Sequence, residues 1–400
     1  MNTEKIQILN RNGVKLHTSI DFPNHQKPKQ FALFAHCFTC TSQLNAVRNI
    51  STALNNKGIA VVRFDFTGLG KSEGEFSESH FEANVEDLLD VNQYLAENYQ
   101  APQLIIGHSL GGSAAIVAAS KLDNIKAVVT IGSPANVQHT ARHFAGQVEN
   151  LKVGENATVT IAGRQFTISG EFVEGFKKHK LSDTIKSLRK PILVMHAPFD
   201  EIVDIKNAHE IYHNAMHPKS FVTLDNADHL LTKKEDSLYA GDMIASWSAR
   251  YIDLKTFESP NPDEHQLVAH LNLEENNFTS SINTKNHGII ADEPKSVGGD
   301  DFGMSPFELV SAGLAACTVM TLKLYAQRKN WDLKEVYTYV NHGKEIVDGQ
   351  RKDVFSKSLE FVGNLDEKQK ERLRQIAGKC PVHKTLQQSA EIRTEIKNGN

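Results

Sequence analysis

Between Gln103 and Ala115 the chain reads Gln-Leu-Ile-Ile-Gly-His-Ser-Leu-Gly-Gly-Ser-Ala-Ala, a short apolar strand that meets a small-residue helix through one tight turn. Ser109 stands at the tip of that turn, with Gly107 and Gly111 two residues away on either side. This spacing arises where a serine is held in a strained backbone conformation that leaves no room for a neighbouring Cβ. The strain presents the hydroxyl outward. The helix that starts at the serine brings its first N–H groups and the positive end of its dipole to the place where a carbonyl oxygen would gain charge. Ser109 is therefore the candidate nucleophile, and the turn demands a strand before it and a helix after it.

The surrounding sequence keeps to that pattern. Lys5–Leu9 and Val14–Asp21 alternate apolar and polar residues around Asn12-Gly13 and predict a β-hairpin. Further strands are predicted at Phe31–Ala35, Ile59–Phe64, Ala127–Ile131, Pro191–Met195 and Phe221–Leu224, with an amphipathic helix over Phe81–Asn98. Strands alternating with helices imply an α/β fold with a mainly parallel sheet covered on both faces. Residues 134–184 break the rhythm. Within them, Ala157–Ile168 alternates around Ala162-Gly163-Arg164 and predicts a small hairpin inserted as a cap. The glycines of Phe64-Asp-Phe-Thr-Gly-Leu-Gly-Lys-Ser72 lack the spacing of a phosphate-binding loop, so Asp65 is expected to be a loop acid satisfied by backbone N–H groups.

A neutral hydroxyl is a poor nucleophile and needs an imidazole to take its proton and a carboxylate to hold the ring in the right tautomer. An acid after one late strand and a histidine after the next supply both: Asp200 in His196-Ala-Pro-Phe-Asp, and His229 in Asn226-Ala-Asp-His. Glu201, Asp204 and Asp225 are alternative acids nearby, and His36 and His108 are expected to serve packing or hydrogen bonding.

With these motifs in hand, residues 1–255 resemble an α/β-hydrolase, through His36-Cys-Phe38, Phe64–Ser72, Gly107-His-Ser-Leu-Gly111, His196–Asp200 and Ala227-Asp-His229. The resemblance implies that the N–H groups of Phe38 and Leu110 form the oxyanion hole. Cys37 stands where glycine is common in that family. The implied activity is that of a serine carboxylesterase acting on small acyl esters through an acyl-enzyme, with no cofactor and no metal.

Four hundred residues favour two domains. Phe257-Glu-Ser-Pro-Asn-Pro-Asp-Glu-His265 carries two prolines and no apolar periodicity, which places a linker at 256–266 and a second domain at 267–400. In it, strands are expected near Val268–Leu273 and Phe278–Asn283. A helix capped at Ser305-Pro-Phe-Glu308 should run from Leu309 to Ala326, apolar nearly all round and buried on most sides. A charged helix follows at Asp366–Lys379, and Cys380-Pro-Val-His383 opens another with Cys380 at its N-cap, where the dipole favours a thiolate.

The segment from about 267 to 400 resembles the osmotically inducible protein C (OsmC) and organic hydroperoxide resistance family, through Ser305–Cys317 and Cys380-Pro-Val-His383. That likeness implies an α+β fold and an intertwined homodimer. It also implies that Cys317 attacks an organic hydroperoxide, Cys380 resolves it as a disulfide, and a dithiol restores the pair. Phe307 replaces the family's glutamate, and Leu267–Asp300 contains no arginine, leaving Arg328 and Lys285 as candidate cations. The rival reading makes this domain a dimerisation module only.

Composition excludes little else. A net charge of −4 from 44 basic and 48 acidic residues gives no basic stripe for nucleic acid. The start of the chain lacks a signal-peptide core, and no apolar run reaches membrane-spanning length, so a cytoplasmic protein without membrane contact is expected. Four cysteines are too few for a disulfide scaffold, and the isolated C-x-x-C of Cys37 and Cys40 is expected to pack rather than to bind metal or act in redox chemistry.

Overall fold

A single sheet of eight strands frames the first half of the chain in this computed structural model. The structure describes residues 2–24, 27–37, 41–75, 80–135, 151–152, 154–161, 164–170, 181–254, 262, 264–273, 276–388 and 390–396. The strands are β1 (Asn2–Leu9), β2 (Lys15–Phe22), β3 (Gln30–Ala35), β4 (Ile59–Phe64), β5 (Leu104–His108) and β6 (Ala127–Ile131). After a separate hairpin of β7 (Asn156–Ile161) and β8 (Arg164–Ser169), the sheet resumes with β9 (Ile192–His196) and β10 (Lys219–Thr223). Their spatial order is β1-β2-β4-β3-β5-β6-β9-β10, antiparallel as far as β4 and parallel beyond it.

Every residue of β3, β4, β5, β6 and β9 is buried, as expected of strands covered on both faces. On one side, α1 (Asn45–Asn55) packs with the later α6 (Lys234–Ser248), burying Ile50, Leu54 and Ile244 against Phe34, Ile106 and Leu193. Helices α2 (Phe81–Asn98), α3 (Leu110–Lys121), α4 (Leu181–Ser187) and α5 (Lys206–Asn214) pack each on the next. Because β3 sends the chain to β4 on one side while β5 flanks it on the other, the loops after β3 and β5 meet at a switch point of the sheet. The inserted hairpin is present at β7 and β8, and the rest of the expected cap falls largely outside the described residues.

The chain divides into compact units at Met1–Glu258 and Ser259–Asn400, and most of the linker expected at 256–266 lies outside the described residues. In the second unit, β11 (Val268–His270), β12 (Ser280–Asn283) and β13 (Gly288–Ala291) form an antiparallel sheet. Next comes α7 (Pro306–Arg328), started by the expected capping box of Ser305 and Glu308. The long hairpin of β14 (Asp332–Val347) and β15 (Gln350–Asn364) turns at Asp348-Gly349, both at positive φ. Helices α8 (Glu367–Ala377) and α9 (Pro381–Gln387) complete the unit.

Two expectations need correction here. Helix α7 is not buried on most sides: only Leu314, Thr318, Leu322 and Ala326 are, because β14, α8 and α9 pack along one stripe. Met320 and Leu324 are 63% and 64% exposed. Nor is the chain without a run of spanning length, since α7, 23 residues long with an 18-residue window of mean hydropathy 1.5, meets that measure by length and composition.

Two polar ties hold the first unit's central strands. Asp21 of β2 receives Arg63 of β4 through Nε at 2.6 Å and a second nitrogen at 3.0 Å, and the guanidinium also donates to the Ser42 carbonyl at 3.0 Å. Both side chains are buried. Removing one partner of such a pair strands a charge out of water. Asp21→Ala is expected to cost about 3–5 kcal/mol in denaturant unfolding of the intact chain, and Asp21→Leu with Arg63→Met markedly less.

His108, the last residue of β5, donates from Nε2 to the His229 carbonyl at 2.7 Å and ties the loop after β10 to the middle of the sheet. Burial first, and then the neighbouring His229, push it from 6.5 to about 3. An unfolded imidazole binds a proton below its ordinary value while the folded one stays neutral, so this stability is complete above 6.5 and is lost as pH falls toward 3. Melting temperature should fall through that window, and His108→Asn should flatten the decline. Some slope should persist, because burial shifts His36 and His196 the same way.

Candidate active site

Ser109 follows β5 directly, at φ 55° and ψ −128°, and forms the N-cap of α3. Its N–H bonds back to the Ile131 carbonyl of β6 at 2.8 Å, which pins the strained turn to the sheet. The flanking glycines are required by space. A Cβ on Gly107 would lie 2.3 Å from the Cα of Gly112, and one on Gly111 would lie 2.4 Å from the His36 carbonyl oxygen after β3. The sharp turn thus rests on close backbone approach within itself and against the neighbouring strand.

The structure brings all three predicted side chains together. Ser109 Oγ stands 3.0 Å from His229 Nε2, and His229 Nδ1 stands 2.7 Å from Asp200 Oδ2. With Nδ1–H donating to the carboxylate, Nε2 accepts from the hydroxyl, the tautomer that proton abstraction requires. The other oxygen of Asp200 accepts the N–H groups of Ile202 and Val203, each at 2.9 Å. These bonds fix the carboxylate from behind. Burial raises the Asp200 carboxyl, but the hydrogen bond and charge of His229 with those two N–H groups outweigh it and leave it below its ordinary value. Of the alternative acids, Asp204 instead accepts the Lys206 N–H, at 2.8 Å, leaving Asp200 as the carboxylate that orients His229.

Two neighbours escape a sequence reading. Gly132, at φ 54° just after β6, leaves room for the pair: a Cβ there would sit 3.3 Å from both Asp200 Oδ2 and His229 Nδ1. His196, fully buried at the end of β9, donates from Nε2 to the Val203 carbonyl at 2.7 Å and closes the loop that carries Asp200. A glycine after a strand is a weak signal, and the role of His196 depends on a carbonyl partner that no side-chain pattern announces.

Leu110 opens α3 as expected for an oxyanion-hole donor. Phe38, the other expected donor, lies outside the described residues, as do Thr39 and Cys40. The segment that follows is anchored by Asp65, which accepts the N–H groups of Ser42 at 2.7 Å and Lys71 at 3.0 Å, the backbone-satisfied loop acid anticipated from sequence. His36 acts as a hydrogen-bonding residue, donating to the Cys37 carbonyl at 2.7 Å and receiving the Phe66 N–H at 3.4 Å. Cys37 is disulfide-bonded, a correction to the expectation of simple packing.

In the second unit both thiols are free and converge. Cys380 caps α9, with its Sγ receiving the His383 N–H at 3.3 Å and facing the Thr318 hydroxyl at 3.7 Å. Burial raises this thiol, yet the His383 N–H, the Thr318 hydroxyl, the Cys317 side chain and the Lys357 charge together carry it below its ordinary value. The cation facing the pair is Lys357 of β15. Arg328 sits eleven residues beyond Cys317 on α7, about 16 Å along the axis, and Lys285 lies in the β12–β13 turn. Lys357 escapes a search confined to arginine and to the early strands. Among the described residues no group of three or more His, Cys, Asp or Glu side chains is placed to hold a metal ion.

Known proteins agree with both halves. Residues 26–158 match the family described as serine aminopeptidase, S33, and residues 298–395 match the OsmC-like protein family. The esterase domain of a Rhodothermus marinus protein is 40% identical, spans 63% of this chain and 99% of its own, and superposes with a TM-score of 0.54. Est1E from Butyrivibrio proteoclasticus, solved with ferulic acid, shares the fold at 22% identity over 62% of this chain and 99% of its own, with a TM-score of 0.54. Mouse mitochondrial palmitoyl-protein thioesterase ABHD10 is 24% identical over 49% of this chain and 68% of its own length. The human form is 25% identical, and there the match covers 45% of this chain and 57% of the relative, less than two thirds of its length. By the fold, by the converging serine, histidine and aspartate, and by these relatives, the chain belongs to the esterase α/β-hydrolases over its first unit and joins to it an OsmC-like domain.

Proposed function

We propose that the first unit is a serine carboxylesterase that hydrolyses small acyl esters through an acyl-enzyme. The observation that carries this reading is the continuous hydrogen-bonded line Ser109–His229–Asp200, at 3.0 and 2.7 Å. His229 Nε2 takes the hydroxyl proton as Ser109 Oγ attacks the ester carbonyl, and the resulting imidazolium is held by Asp200. The Leu110 N–H at the start of α3, together with that of Phe38, takes the charge on the carbonyl oxygen. Collapse of this intermediate expels the alcohol, which leaves with the proton from His229. Water then repeats the sequence on the acyl-serine and releases the acid. The esterase domain at 40% identity supports an ester as the substrate class. Phe199 and Ile202, exposed on the loop that carries Asp200, offer apolar surface to an acyl or alcohol group.

A second reading belongs to the other unit, and the approach of Cys317 to Cys380 is what favours it. Cys317, as thiolate, attacks an organic hydroperoxide and breaks its O–O bond, giving a sulfenic acid and, after protonation, the alcohol. Cys380 then attacks the Cys317 sulfur, water leaves, and a dithiol reductant returns two electrons to the disulfide. The unit is also proposed to associate as a homodimer through the exposed face of α7. Such an apolar face calls for a partner surface.

Ser109→Ala is expected to reduce turnover of a chromogenic short-chain ester by at least about a thousandfold, with unchanged circular dichroism. Retained turnover would refute the assignment. In a peroxide-consumption assay with a dithiol, Cys317→Ser should be inert where wild type turns over, and equal rates would exclude the thiol route. Met320→Asp with Leu324→Asp should convert the species seen in sedimentation equilibrium from twice the chain mass to one, whereas a wild-type monomer would contradict the dimer.

A further inference from the structure

The geometry around Cys380 gives Lys357 a role beyond the two readings above. Its Nζ donates to the carbonyl of Ala377, the last residue of α8, at 2.9 Å, and to Thr318 Oγ1 at 3.2 Å. Thr318 is fully buried in the middle of α7, next in sequence to Cys317. Its oxygen accepts from Lys357, and its one proton faces two acceptors, the Leu314 carbonyl at 2.7 Å and Cys380 Sγ at 3.7 Å. One ammonium, one hydroxyl and one sulfur therefore form a line across three elements, β15, α7 and the N-cap of α9. A further donor to that sulfur is the N–H of His383, at 3.3 Å.

Donors arranged around a sulfur favour its anion. The titratable groups facing Cys380 are Cys317 from α7 and Lys357 from β15, while His383 of α9 meets it through its backbone N–H. Burial carries the Lys357 ammonium below its ordinary value, and the charges of Cys380 and Cys317 offset part of that. Burial, and then the Lys357 charge, hold the His383 imidazole below its ordinary value.

We propose that Lys357 is the positioning cation of the second site: fixed between Thr318 and the Ala377 carbonyl, its ammonium holds one negative charge on the Cys317–Cys380 pair. This takes from the thiol-pair reading its location but not its turnover. The competing role is structural, since a lysine beside the last carbonyl of a helix stabilises that helix without any reference to sulfur. The two roles separate in a pH profile. A cap leaves the thiol's titration where it was, whereas a paired cation moves it.

Because Cys380 is buried, the test is the pH dependence of its ultraviolet thiolate absorbance in the full-length Cys317→Ser chain, taken as the difference from the same chain with Cys380→Ser added. Adding Lys357→Met should move the midpoint up by about one unit, leaving about tenfold less thiolate at any pH below it. Lys357→Arg, which keeps the charge, should titrate close to the parent. A Lys357→Met profile that overlays the parent in a chain of native circular dichroism would overturn the proposal.

Should Lys357→Met fail to fold, the reciprocal measurement decides, because coupling between two sites is mutual. The titration of 13C-dimethylated Lys357, followed by NMR, should move down in Cys380→Ser, and an unmoved midpoint would overturn the pairing. Neither experiment reads peroxide consumption. A chain inert toward peroxide removes the reductase reading alone, whereas an unshifted titration removes the role of Lys357 alone.

Discussion

The left-handed backbone at Ser109, φ 55°, is the constraint on which the first unit's chemistry depends. A side chain other than glycine at such an angle is uncommon and is kept only where its surroundings over-determine it. Here the surroundings are visible: the Ser109 N–H reaches the Ile131 carbonyl, Gly111 lies against the His36 carbonyl, and Gly107 against Gly112. These contacts exist because β3, β5 and β6 are neighbours in a parallel sheet, so their ends stand side by side. From that fixed point the rest follows outward. His229 is held over the hydroxyl by its own bond to Asp200 and by His108 on its carbonyl, and Asp200 is held by a loop that His196 closes. The base is thus restrained at side chain and backbone alike, and its carboxylate is held before a substrate arrives.

Much of this was legible in the residues. The ends of β4, α2 and β6 coincide with the expected Ile59–Phe64, Phe81–Asn98 and Ala127–Ile131, because buried parallel strands and an amphipathic helix carry strong periodic signals. Ser109, Asp200 and His229 were legible because chemistry restricts their types and the fold restricts their order. Gly132 and His196 were not, since their work is done through space or through a backbone carbonyl, and of His108 the hydrogen-bonding role was legible but not its partner. In the second unit, β13, β14 and β15 went unread. Val336, Thr338 and Val340 are only half-buried and alternate with exposed Tyr337 and Tyr339 among many charges, so the period-two signal is diluted.

The overestimate of burial along α7 has a physical cause of its own. Apolar composition all round a helix states that every side must be covered but not by what. Within one chain, Leu322 packs with Leu365, Leu373 and Ile376, while Met320 and Leu324 remain exposed. Lys357 was missed for a related reason. A search for an arginine in the early strands follows the family pattern, whereas the charge here comes from a later strand and reaches the sulfur through Thr318.

The two units hold two candidate nucleophiles built by opposite means. In the first, a neutral hydroxyl is matched to a base whose carboxylate is already ionised. In the second, donors converge on a sulfur and favour the anion directly. The central claim concerns the first, and labelling of the full chain with a fluorophosphonate followed by peptide mapping tests it most directly. One covalent adduct is expected, on Ser109, prevented by prior incubation with ester substrate and absent from His229→Ala at matched times. An adduct on another serine, or none from a preparation that hydrolyses ester, would contradict it.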